Sequence, residues 1–149
     1  MGGMPAALSE SAAHAARDVR VLVGRLRRRL RQTYDNADLT PSQTSALSRI
    51  GRAGPLSASD LAAAERVRPQ SIAATLAVLE ERGLTERRPD PGDGRRRLLT
   101  LTPAGAALLD DGRRAGEEWL ARALQEQLTE AERRTVVEAM ALLDRVVAP

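Results

Sequence analysis

Residues 87–102 read RRPDPGDGRRRLLTLT. Five arginines, Arg87, Arg88, Arg95, Arg96 and Arg97, surround a turn built from two prolines, two glycines and two aspartates. A guanidinium stays charged at any physiological pH and presents a planar fork of donors that grips phosphates and guanine edges bidentately. Charge placed only for solubility would be spread along the chain. A calcium loop is the competing reading of DPGDG. The EF-hand spacing and its closing glutamate are missing, and the arginines that follow would repel a cation. The chemistry this stretch can do is to hold a polyanion against a tight hairpin.

Other chemistries find little support. The chain has no cysteine, which excludes disulfides, thiolate metal sites and peroxide sensing by a thiol. His14 is its single histidine; a lone histidine makes a metal site only with carboxylates, and the sequence places none around it, so it is read as lying on the first helix near the dimer seam. There is no nucleophile elbow and no phosphate-cradling glycine loop. The acidic pairs Glu80–Glu81, Asp110–Asp111 and Glu117–Glu118 stand beside arginines and read as solvated helix faces. The expectation is no enzyme, no catalytic residue, no metal and no cofactor. Tyr34 and Trp119 are the only aromatic residues, too few for the stacking platforms that bind RNA or single strands.

All 23 basic residues are arginine, against 20 acids, for a net charge of +3. GC-rich codon usage accounts for arginine over lysine as readily as function does, but it does not account for placement. Residues 1–56 carry 9 arginines and 4 acids, residues 57–101 carry 8 and 7, and residues 102–149 carry 6 and 9. A basic front and an acidic back fit an anionic partner on one side. No apolar run approaches the length that crosses a bilayer, and the first residues lack a signal-peptide layout, so the chain is expected to be cytoplasmic.

The elements that must position the arginines follow from periodicity and caps. Ala15, Val19, Leu22, Val23, Leu26 and Leu30 recur at three and four, giving a helix over 8–34 whose Gly24 would admit a close helix neighbour. Thr40, Pro41 and Gln43 open a helix over 40–53. Ser57 caps a two-turn helix, Arg66–Val67–Arg68 turns the chain, and Pro69 starts a helix ending at Gly83 with Ile72, Leu76 and Leu79 inward. Two helices joined by so short a turn form a helix-turn-helix. LTERR and RRLLTLT read as a hairpin of uncertain register, because Leu98 and Leu99 break the alternation. A helix over 102–128 follows, apolar on two stripes, so that one side asks for a partner chain. A last helix, capped by Thr129 and Glu132, shows Val136, Met140, Leu143 and Val147 on one stripe. The fold class is mainly α with a small β-hairpin wing: a winged helix-turn-helix lobe at 35–101, flanked by dimerisation helices at 1–34 and 102–149.

This order of parts resembles the multiple-antibiotic-resistance regulator (MarR) family. LTPSQTSALSRIGRAGPLSASDLA resembles its second and third helices. VRPQSIAATLAVLEERGLTERRPDPGDGRRRLLTLTPAG resembles its recognition helix and wing, with the aspartate–x–arginine motif on Asp93 and Arg95. The similarity spans about residues 39–105; the flanking helices match in length and placement. The resemblance implies a homodimer on a pseudo-palindromic operator in double-stranded DNA, and a small-molecule or redox signal that loosens binding; with no cysteine in the chain, a small phenolic or drug-like effector is the expected signal. Arg68, Gln70, Ser71 and Ala74 would then face the major groove, although the family commonly has a polar or basic side chain where this chain has Ala74. Asp93 would hold the guanidinium of Arg95 for the minor groove, with Arg96 and Arg97 on phosphates. Tyr34 would lie near the effector crevice. Val136, Met140, Leu143, Val147 and Trp119 would pack at the dimer seam. The alternative function is a winged-helix protein-interaction or non-specific DNA-binding module without ligand response.

Overall fold

The computed structural model describes residues 7–33 and 38–148. Its elements are α1 (Glu10–Thr33), α2 (Pro41–Ala53), α3 (Ala58–Glu65), α4 (Pro69–Glu81), β1 (Thr85–Pro89), β2 (Arg97–Leu101), α5 (Pro103–Gln127) and α6 (Glu130–Val147). The chain is therefore mainly α with one antiparallel hairpin, as its sequence implies.

Helix starts are fixed locally. The side chains of Thr40, Ser57, Thr102 and Thr129 each accept a backbone N–H in the first turn of the helix they precede. In α2, α3 and α6 the partners Gln43, Asp60 and Glu132 reach back to the capping residue's amide. Proline sits in the first turn of α2, α4 and α5, where a missing N–H leaves no bond unmade.

The core lies in the lobe formed by α2, α3, α4 and the hairpin. Leu47, Ile50, Leu61, Leu76, Leu79 and Leu99 are almost fully enclosed, and Ile72 joins them. Burying each such side chain stabilises the fold by about 1.5–3 kcal/mol. The strand register pairs Thr85 with Leu101 and Arg87 with Leu99. That register sends Leu99 into the core and leaves Leu98 half-buried, which resolves the broken alternation. Leu56 exchanges both backbone bonds with Leu99, at 3.3 and 2.8 Å, and so adds a third short edge to the hairpin.

Two expectations about the helices change. The close helix approach falls at Gly116: a β-carbon there would meet Leu30 at 3.2 Å and Thr33 at 3.5 Å. Gly24 meets nothing within 4 Å in its own chain. The two stripes of α5 are both used within the chain as well, because successive turns meet different neighbours. Leu108 and Leu109 pack on the lobe core, whereas Gly116 and Trp119 meet α1, where the Arg29 guanidinium lies over the Trp119 ring at 5.3 Å. The uncovered apolar surface lies instead on α1 and α6. Neither helix buries a residue, and Leu22 is 62 % exposed, Val137 69 % and Val146 79 %.

Candidate nucleic-acid interface

The site begins with α4. Its inward stripe, Ile72, Leu76 and Leu79, is held by α2 and α3, and this fixes which face looks out. Arg68, Gln70, Ser71 and Ala74 are all exposed on that outer side, joined by Ala73 and Ala77. The two further alanines follow from the same 3.6-residue periodicity and extend a shallow face that can approach a groove floor closely. Arg68 occupies the N-cap of α4 but makes no side-chain cap hydrogen bond. The start of α4 thus lacks the side-chain cap that α2, α3, α5 and α6 have.

The wing is built by its aspartates. Asp90 Oδ1 accepts the Gly92 amide at 2.8 Å, and Asp93 Oδ1 accepts the Arg95 amide at 3.0 Å. The Asp93 carbonyl also accepts the Arg96 amide, and the Asp90 amide donates to the Arg96 carbonyl, both at 2.9 Å. Asp93 therefore fixes the backbone of Arg95 rather than its guanidinium; a carboxylate two residues ahead in a tight turn meets the amide first. Both wing carboxylates are engaged in this way, and among the described residues no group of three or more acids or histidines could hold a metal ion.

The five arginines separate by partner. Arg87 pairs with Glu80 of α4 at 2.6 Å, and Arg88 with Glu86 at 2.5 Å. Arg96 donates to Asp60 at 2.5 Å and to the Ser57 hydroxyl at 3.2 Å, which ties the wing to the start of α3. The expected phosphate role of Arg96 thus competes with an internal anchor. Hydrogen bonds from Ser57, with Arg96 beside it, hold the Asp60 carboxyl below the usual carboxylate range. Arg95 and Arg97 are exposed and have no acidic partner among the described residues.

The other candidates fall elsewhere. Tyr34 lies outside the described residues. Trp119 is half-buried between α5 and α1. Val136 and Leu143 are half-buried, while Met140 and Val147 are exposed on α6. His14 pairs with Asp18 at 2.9 Å on the surface of α1.

A helix-turn-helix with an exposed second helix, followed by a basic anchored hairpin, defines a winged-helix DNA-binding regulator. The sequence profile of the MarR family matches residues 37–96. The HTH-type transcriptional regulator Mb0904 of Mycobacterium bovis is 39 % identical over 115 residues, covering 77 % of this chain and 80 % of the relative. The HTH-type transcriptional repressor NicR of Pseudomonas putida is 35 % identical over 101 residues, 62 % of this chain and 64 % of that protein. The crystal structure of a putative transcriptional regulator from Pseudomonas aeruginosa superposes with a TM-score of 0.73 at 36 % identity, over 95 % of this chain and 99 % of that one. The chain belongs to the MarR family of helix-turn-helix transcriptional regulators. No helix among the described residues is long and apolar enough to cross a membrane.

Proposed function

We propose that this chain is a cytoplasmic, homodimeric, sequence-specific repressor. One observation carries the reading: the outer face of α4 and the tip of the wing both present polar or cationic groups that the fold itself leaves unused. Gln70 and Ser71 read base edges in the major groove, with Arg68 beside them and Ala74 against a thymine methyl. Arg95 enters the minor groove and Arg97 takes a phosphate. Two copies, joined through α1 and α6, place two α4 helices about 34 Å apart on the half-sites of a pseudo-palindrome. The division into a DNA-binding lobe at 35–101 and dimerisation helices on either side is part of the same proposal. NicR, named a repressor, supports repression over activation.

Effector release belongs to this reading. A crevice of about 410 Å³ between α1 and α2 is lined by Arg28, Arg31, Gln32, Leu39, Pro41 and Thr44. Apolar walls with two guanidinium groups suit a phenolic or drug-like anion. Such a molecule releases DNA only to the extent that it prefers a dimer spacing the operator rejects. Gel-shift titration against the DNA upstream of the chain's own coding region tests the function. A complex that forms equally on scrambled DNA would leave only the non-specific binding module.

A further inference from the structure

The turn between α3 and α4 holds a backbone conformation that its sequence does not favour. Arg66 closes α3 at φ 55° and ψ 41°, in the left-handed region. A β-carbon makes that region costly, and glycine is the residue that ends helices there freely. The other positive-φ residues described are Asp38, Gly54 and Gly83, types that tolerate it. Arg66 is the exception in chemistry.

No contact among the described residues accounts for an arginine at this position. Its backbone N–H bonds to the Ala62 and Ala63 carbonyls, a closure glycine would make equally well. Its side chain is exposed, and its guanidinium has no ion pair or hydrogen bond among the described residues. By contrast, Arg49, Arg87 and Arg96 are each committed to an acid. A positive charge near the end of α3 does complement its dipole. An arginine in the last helical turn would do the same without left-handed backbone, and that turn has no basic residue.

Backbone strain at a residue whose side chain has no ion pair or hydrogen bond among the described residues points to function. Arg66 lies two residues before Arg68 and three before Pro69, where α4 begins. Three residues span at most about 11 Å, so the guanidinium stands at the approach to the first turn of α4. We propose that Arg66 binds a backbone phosphate beside the bases that this turn reads. The contact rests on α4 being the recognition helix and adds an anchor outside both α4 and the wing. It sets the register of α4 in the groove and carries no sequence information of its own.

The test uses the full chain, with Arg66→Gly and Arg66→Lys. Thermal unfolding is measured without DNA. Fluorescence anisotropy titrations use the chain's own upstream DNA between 50 and 200 mM salt. Arg66→Gly should unfold at the same or a higher temperature yet bind DNA several-fold more weakly. Its log–log salt slope should fall by about 0.9, so that its deficit at 50 mM is about 3.5 times that at 200 mM. Arg66→Lys should keep the unsubstituted slope. If the unsubstituted chain binds specifically and Arg66→Gly has the same slope, the phosphate contact is wrong while the recognition-helix reading stands. Earlier unfolding of Arg66→Gly would also overturn it, by showing that the side chain supports the fold. Absence of specific binding by the unsubstituted chain would overturn the recognition-helix reading itself.

Discussion

At the scale of single residues, base reading and phosphate holding should separate experimentally. Gln70 is exposed on the outer face of α4 and can bond adenine bidentately. Gln70→Ala should relax preference at one base pair by about 1–3 kcal/mol and leave the others intact. Competition titrations with a set of single-base operator variants measure this. Arg95 has no acidic partner among the described residues, so its charge is available to the minor groove. Arg95→Ala should weaken all operator variants by a similar factor, and unchanged affinity would remove the wing from the interface. The residue types at the wing were legible in the sequence, but their division of labour was not. Arg96 and Asp60 are 36 positions apart, and only the folded hairpin brings them together. Which atom of Arg95 meets Asp93 depends on the turn's backbone, which composition does not determine.

At the scale of elements, two joints hold the helix-turn-helix lobe together. The first is the entry to α5, where buried Gly105 runs against the backbone of Leu84, just before β1. A β-carbon there would collide with the carbonyl of Leu84. Gly105→Ala should destabilise the lobe by about 1–3 kcal/mol through overpacking, measured by denaturant unfolding. The second joint is Glu65 at the end of α3, which accepts from the Ser45 hydroxyl at 2.5 Å and from Arg49, both on α2. Burial pushes the Glu65 carboxyl up, but those hydrogen bonds and the Arg49 and Arg52 charges outweigh it and hold its pKa below the ordinary value. A depressed folded pKa means that the unfolded chain takes up the proton first as pH falls. The stabilisation is therefore complete above the unfolded pKa of about 4.3 and is lost below it. Glu65→Gln should flatten the decline in unfolding temperature below that pH; an unchanged profile would show that the joint contributes nothing. Helix boundaries were legible because their signals are local, such as Thr40 with Gln43 and Thr129 with Glu132. The strand register was not, because Leu98 and Leu99 are both apolar and only the core selects Leu99.

At the scale of the whole molecule, the distribution of apolar surface makes the argument. The lobe closes its own core, while α1 and α6 face each other across an apolar groove lined by Ala12, Ala15, Val19, Val23, Leu143 and Val146. Exposed apolar surface of this kind, on two long helices with no buried residue, supports the proposed pairing of two chains. Val146→Glu together with Leu22→Glu should cost the isolated chain little, since both positions are exposed in it. Light scattering after size exclusion should then show a monomer, whereas the unsubstituted chain is expected to run as a dimer. A monomeric unsubstituted chain would refute the homodimer directly. The sequence pointed to a partner chain through α5, whereas the most exposed apolar side chains lie on α1 and α6. The two stripes of α5 look unpartnered on paper, but α1 and the lobe cover successive turns of it.

The central claim is that α4 and the wing together read a DNA sequence. Its most direct measurement is a fluorescence anisotropy titration of the full chain at fixed, near-physiological salt. The chain's own upstream DNA is compared with a scrambled duplex of equal length and composition. Binding to the upstream DNA should be at least about 1,000-fold tighter, with an affinity that falls steeply as salt rises. Equal affinity for the two duplexes would contradict it.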